Sequence, residues 1–137
     1  EQRVAELNAL LAANNDLAEA YYHRSLIAIQ QLRYNDAVRD LKRHLALAPD
    51  NPDAHYWLGR AYYALDEMPE ALRELQRAIE LRGGSFTEAR LYQGLVQETL
   101  GQVEDAAASF DAVIQSASES EWAARARVEL ERLREIP

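Results

Sequence analysis

A chain of 137 residues with 48% hydrophobic content fits one domain with a core of its own. Its formal charge of −8, from 15 basic against 23 acidic residues, argues against binding to nucleic-acid phosphates, and no apolar run is long enough to span a bilayer. With no cysteine, disulfides, thiolate metal sites and cysteine nucleophiles are excluded, and this suits the cytosol and the bacterial envelope equally. The chain opens at Glu1 without a methionine, as expected of a processed chain or an excerpt.

Helical spacing begins at the first residues, where Val4, Leu7, Leu10 and Leu11 predict a helix over 2–13. Six more segments follow, read as helices over 17–31, 35–48, 52–65, 69–82, 87–100 and 103–117. Their apolar residues recur at three- and four-residue steps, as in Leu41, Leu45; Leu72, Leu75, Ile79; and Phe110, Val113, Ile114. A last helix over 120–135 puts Trp122, Ala126, Leu130 and Leu133 on one face, with Arg125, Arg127, Glu129, Arg132 and Arg134 largely elsewhere. No stretch alternates over a strand length, so the chain reads as all-α. The boundaries have their own chemistry. Asn51 caps a helix that has Pro52 in its first turn, and Pro69 opens another. Ser85 and Glu88 are spaced as a capping box, Gly83 follows a helix end, and Gly101 supplies a tight turn.

The segments repeat. Ala37 recurs as Ala71 and Ala106; Leu41 as Leu75 and Phe110; Leu45 as Ile79 and Ile114. Ser25, Gly59 and Gly94 keep a third register that is always small. The period is 34 residues, then 35, with the extra residue in Gly83-Gly84-Ser85-Phe86. In the middle unit His55, Leu58-Gly59, Tyr62, Ala71 and Leu75 follow one another, with Gly83 at the end. The first unit gives Tyr21, Arg24-Ser25, Ala28, Ala37, Leu41 and Pro49, and the third Arg90, Gln93-Gly94, Gln97, Ala106, Phe110 and Ser118.

This pattern resembles the tetratricopeptide repeat (TPR) over about residues 18–120. The resemblance implies a right-handed superhelical solenoid of antiparallel helix pairs, divided as 18–51, 52–85 and 87–120. Residues 1–15 then resemble the second helix of a preceding repeat, and 121–137 form a C-terminal capping helix. Gly59 facing Ala71, Ser25 facing Ala37 and Gly94 facing Ala106 are expected to let paired helices approach closely. Tyr62 shares a face with Leu58 and Leu65 and so belongs to the core. His44 is expected as a buried neutral histidine with one hydrogen bond. Arg24 and Gln93 stand where the middle repeat has Leu58, and Gln97 where it has Tyr62, which suggests looser outer repeats.

Residues that the core does not claim form a second stripe. Asp53, Tyr56, Arg60 and Tyr63 are spaced at three and four. Their equivalents are Glu19, Tyr22, Leu26, Ile29 before and Glu88, Leu91, Leu95, Glu98 after. First helices line the inner wall of such domains, so the resemblance implies a partner groove lined by Tyr22, Leu26, Ile29, Tyr56, Tyr63, Leu91 and Leu95. Trp57 and Tyr92 thicken it, and Arg60 and Glu98 are its charged members. A stripe this apolar is unusual for a solvated helix face, though superhelical curvature or helices outside the chain also account for it. Arg60 is expected either to pair internally with Asp53, Glu98 or Glu67, or to engage a carboxylate or carbonyl of a bound peptide.

The expected role is a non-catalytic scaffold that binds a peptide or helix of a partner protein through apolar anchors, with room for basic flanks. The alternative is a structural spacer or a self-association module within a longer array, weak self-association running through residues 2–13. Co-chaperones that hold chaperone tails use a two-carboxylate clamp of lysine, asparagine, asparagine, lysine and arginine. Here those positions are Tyr22, Leu26, Trp57, Glu88 and Tyr92, so the resemblance implies that such tails are not the partner. His23, His44 and His55 fall on different stripes, and no phosphate loop or nucleophile elbow occurs, so neither metal, cofactor nor catalysis is expected. Alanine- and arginine-rich wording such as LALAPDNPDAHYWLGRAY leans toward a bacterial assembly, secretion or envelope protein. The compartment is left between cytoplasm and periplasm, with the periplasm slightly favoured.

Overall fold

The computed structural model describes residues 1–14 and 17–135, and among them every regular element is an α-helix. The eight are α1 (Gln2–Ala13), α2 (Ala18–Gln30), α3 (Tyr34–Leu47), α4 (Pro52–Ala64), α5 (Met68–Leu81), α6 (Thr87–Thr99), α7 (Val103–Ser116) and α8 (Glu121–Arg134). Their ends agree with the periodicity to within one residue. Helices α2 and α3, α4 and α5, and α6 and α7 pack as antiparallel pairs, and each pair stacks on the next. Helix α1 packs on α2 as α3 does on α4, and α8 on α7 as α6 does on α5. The first helices α2, α4, α6 and α8 also touch in series, which brings their outward stripes side by side.

The same turn joins the two helices of each pair. Leu32, Asp66 and Gly101 all adopt left-handed backbone, with φ of 60°, 62° and 80°. One residue later the amides of Arg33, Glu67 and Gln102 donate to the carbonyls of Ala28, Tyr62 and Gln97 at 2.8–2.9 Å. These bonds satisfy carbonyls that a helix end otherwise leaves open. Only the third turn has the glycine that tolerates this backbone without strain.

Asn51 caps α4 as expected, its Oδ1 accepting from the Asp53 amide at 3.1 Å. Ser85 does not form its capping box. Phe86 holds the cap position of α6 with its side chain buried, so core packing rather than a hydroxyl sets where α6 begins. Gly59 faces Ala71 as expected, but at both helical glycines the tightest contact is with a larger residue. A methyl group at Gly94 would sit 2.6 Å from Cε1 of Phe110, and one at Gly59 would sit 2.7 Å from Cγ of Leu75. Each glycine makes room for the large residue of the facing helix; an alanine contact is secondary, with the Ala71 carbonyl 3.3 Å from the Gly59 position.

The polar residues at apolar register positions each have a partner across their own hairpin. Arg24 donates from Nε and Nη2 to both oxygens of Asp40, at 2.7 and 2.6 Å, and from Nη1 to Asn8 of α1 at 2.9 Å. Ser109 donates to Oε1 of Gln97 at 2.6 Å, with Oε1 of Gln93 at 3.4 Å. His44 makes two hydrogen bonds rather than one: Nδ1–H donates to the Ala18 carbonyl at 2.8 Å, and Nε2 accepts from Asn51 at 3.0 Å. Among the described residues no buried side-chain polar atom lacks a partner.

Candidate functional site

The stripe on α4 is the centre of the site. Helical spacing puts Tyr56, Arg60 and Tyr63 on one side of α4, opposite the Leu58, Gly59 and Tyr62 side that enters the core. Tyr56 is only 5% exposed, its ring 5.1 Å from Phe86, 5.1 Å from Trp57 and 6.2 Å from Tyr92. Burial pushes its phenol up to about 12, against a smaller opposing pull from Arg60. Tyr56 therefore supports the site from beneath, as a neutral hydroxyl.

Arg60 lies over this aromatic group. Its guanidinium carbon is 4.5 Å from the Tyr92 ring centre, 5.0 Å from that of Trp57 and 5.7 Å from that of Tyr56. Nη1 donates to the Tyr56 hydroxyl at 3.2 Å. None of the three carboxylates expected to pair with it does so. Asp53 is held by Arg82 at 2.6 Å, and Glu98 by Arg132. Glu67 stands at the start of α5, beyond the far end of α4. Among the described residues Arg60 has no carboxylate partner.

Beside Arg60 is a cleft of about 230 Å³ lined by Ile29, Tyr34, Arg60, Ala61, Tyr63, Ala64 and Tyr92. It joins four of the eleven residues placed on the groove by sequence: Ile29, Arg60, Tyr63 and Tyr92. The Tyr63 and Tyr92 rings meet edge to face at 5.8 Å, and burial raises the Tyr63 phenol above its ordinary value. Tyr22 and Leu26 are half-buried on α2, and the Tyr22 ring lies 5.2 Å from that of His44. Burial, then Asp53, raises the Tyr22 phenol as well. Trp57 is half-buried under Arg60. Leu91 and Leu95 are 1% and 5% exposed, in a core cluster with Phe110, Leu130 and Leu133. They belong to the packing between α6 and its neighbours rather than to an accessible wall.

Helix α8, expected as a capping helix, takes the next place on the strip. Arg125, Glu129 and Arg132 repeat the register of Leu91, Leu95 and Glu98 after 34 residues, and that spacing was the available signal. Arg125 donates to Glu129 at 3.2 Å and is close enough to lower the Tyr63 phenol against the stronger effect of burial. Burial works against ionisation of Glu129, but hydrogen bonds from Arg132 and Arg125 outweigh it and hold the carboxyl below its usual value. This end of the strip is therefore charged and internally paired.

A tetratricopeptide repeat model matches residues 28–98, just over half of the chain, and a second matches residues 88–120. The chain belongs to the tetratricopeptide repeat family. No curated protein sequence matches it. Solved structures of the fold include MamA, with 25% identity and a TM-score of 0.83 over 96% of this chain and 73% of that one. YrrB, described as a TPR protein with an unusual peptide-binding site, is 26% identical with a TM-score of 0.78, over 96% of this chain and 69% of that one. The first TPR domain of Spaghetti (RPAP3), described as bound to the HSP90 peptide SRMEEVD, is 20% identical with a TM-score of 0.79, over 85% of this chain and 90% of that one. TPR domains are non-catalytic interaction scaffolds, and this domain is one of them.

The RPAP3 comparison corrects one expectation. The clamp's side chains are missing at Tyr22, Leu26, Trp57, Glu88 and Tyr92, which excludes chaperone tails on the sequence, yet a domain of this same fold is described as bound to the HSP90 peptide SRMEEVD. Five register positions are too few to decide the matter, because a cation elsewhere on the strip serves a carboxylate as well. Arg60 is such a cation, and it has no carboxylate partner among the described residues. The exclusion does not stand.

Proposed function

We propose that this TPR domain seats a peptide or helix of a partner protein across α2, α4 and α6, with the cleft beside Arg60 taking an anchor side chain. The cleft between Ile29, Tyr63 and Tyr92 is the observation that carries this reading. Ile29, Ala61, Ala64 and three tyrosines line it, and its one cation, Arg60, has no carboxylate partner among the described residues. Proteins of this fold are peptide-binding scaffolds, and the descriptions of YrrB and RPAP3 support the same use here. Binding would come from burial of one or two anchors, with the half-buried Tyr22 and Leu26 extending the contact. We place the parent protein among bacterial assembly, secretion or envelope proteins on the wording of its helices alone.

The test uses short random peptides selected on the purified domain. Ile29→Ala combined with Tyr63→Ala should weaken the selected peptides by tenfold or more, while far-UV circular dichroism keeps its helical signal. Affinity unchanged by that double substitution would show that the peptides sit elsewhere. Tyr56 is a poor choice for this test, because its burial makes any loss ambiguous between binding and folding.

A further inference from the structure

We infer that the ligand of this groove presents a single carboxylate beside an apolar side chain, and that Arg60 receives the carboxylate. The inference rests on the groove reading above. A guanidinium has five N–H donors. Arg60 uses one on the Tyr56 hydroxyl, and the rings of Trp57 and Tyr92 attract its positive face without offering a hydrogen-bond acceptor. The remaining donors meet no acceptor among the described residues.

Neighbouring carboxylates do not compete for it. Asp53, Glu98 and Glu129 are each engaged by another arginine. Glu88 is near enough to act on the Tyr56 phenol, yet forms no ion pair with Arg60. Arg60 lines the cleft without a carboxylate partner among the described residues, so an anionic group is its complement. A planar cation with free donor edges fits a carboxylate in bidentate fashion. The cleft walls of Ile29, Ala61, Tyr63 and Ala64 adjoin it, so the acidic group and an apolar anchor must be close together in the ligand. One free cation calls for one carboxylate. The next arginine along the strip, Arg125, is already tied to Glu129. The carboxylate comes either from an aspartate or glutamate side chain or from a chain terminus.

The experiment selects short random peptides on the whole domain in two forms, amidated or with a free C-terminal acid. Selected peptides should carry an acidic residue within two positions of a leucine or aromatic residue, or a terminal acid next to one. Changing glutamate to glutamine, or acid to amide, should cost tenfold or more in affinity, and the form that is sensitive identifies the source. Arg60→Gln should erase that difference, and Arg60→Glu should shift the preference to lysine-bearing peptides; both variants should keep the helical far-UV signal, with a modest fall in melting temperature from the lost contacts to Tyr56, Trp57 and Tyr92. Selected peptides without an acidic group would overturn the inference, as would an acid preference that survives Arg60→Gln. A phosphoserine peptide binding far more tightly than its glutamate counterpart would also overturn it, in favour of a phosphate ligand. In those cases loss of binding on Ile29→Ala with Tyr63→Ala still upholds the groove. Binding that persists through that double substitution removes the groove itself, and a wild-type domain that selects no peptide removes both.

Discussion

The first and third hairpins fill the same register position with different chemistry. In the first, Arg24 of α2 grips Asp40 of α3 through two hydrogen bonds, and Asp40 is only 2% exposed. In the third, Gln93 and Gln97 of α6 meet Ser109 of α7 through neutral hydrogen bonds. The middle hairpin has Leu58 at this position and turns Glu74 toward His55 instead. The backbone arrangement is common to all three, so the fold tolerates charge, neutral polarity or hydrocarbon here. The energetic exposure differs: a buried carboxylate depends on its one cation, whereas a neutral amide and hydroxyl lose less when separated.

That contrast can be broken directly. Arg24→Ala strands Asp40 and should cost about 3–5 kcal/mol in urea unfolding, while Ser109→Ala should cost about 1 kcal/mol. Equal losses would show that the ion pair is no more demanding than the amide pair. A smaller effect compares the turns. Leu32 is 71% exposed and holds left-handed backbone that its side chain disfavours, as does Asp66. Leu32→Gly and Asp66→Gly should each change stability by less than about 1 kcal/mol, the relief of strain opposing the greater freedom glycine has when unfolded. A stabilising sign would show strain to be the larger part; Gly101→Ala should be destabilising in either case.

The smallest effect concerns the middle hairpin and pH. His55 directs Nδ1 at Glu74, 2.7 Å away, and Nε2 at the Pro49 carbonyl, 2.8 Å away. Burial lowers its pKa, but these two bonds outweigh burial and leave it above the ordinary 6.5. A raised value in the folded state favours folding below pH 6.5 and gives that advantage up as pH rises through the folded value. The melting temperature of the wild type should therefore exceed that of His55→Gln by one or two degrees more near pH 6 than near pH 9. A gap that is constant with pH would mean that the imidazole contributes by packing alone.

The helices and their stacking were legible because a period of 34 residues repeats the same apolar and small positions, and each register constrains the others. The Arg24–Asp40 pair was not, since its members stand 16 residues apart and only the hairpin brings them together. Leu91 and Leu95 look like groove residues on α6 alone; their burial depends on packing with α7 and α8, and α8 was read as a cap. Ser85 matched a capping motif, but a buried phenylalanine one residue later determines the helix start. For Arg60, spacing named three possible carboxylates without revealing that Arg82 and Arg132 reach two of them first.

The position of Arg60 against three rings has a kinetic consequence. A long side chain that is free in solution gives up rotamer entropy when a ligand fixes it. Stacking on Tyr92 and the bond to Tyr56 have already confined Arg60 during folding. The proposed carboxylate ligand would meet a donor that is already oriented, so less of the contact energy would be spent on ordering it. Removing the rings while keeping the arginine would restore that ordering cost, and the weaker binding would be read chiefly as faster release of the bound peptide.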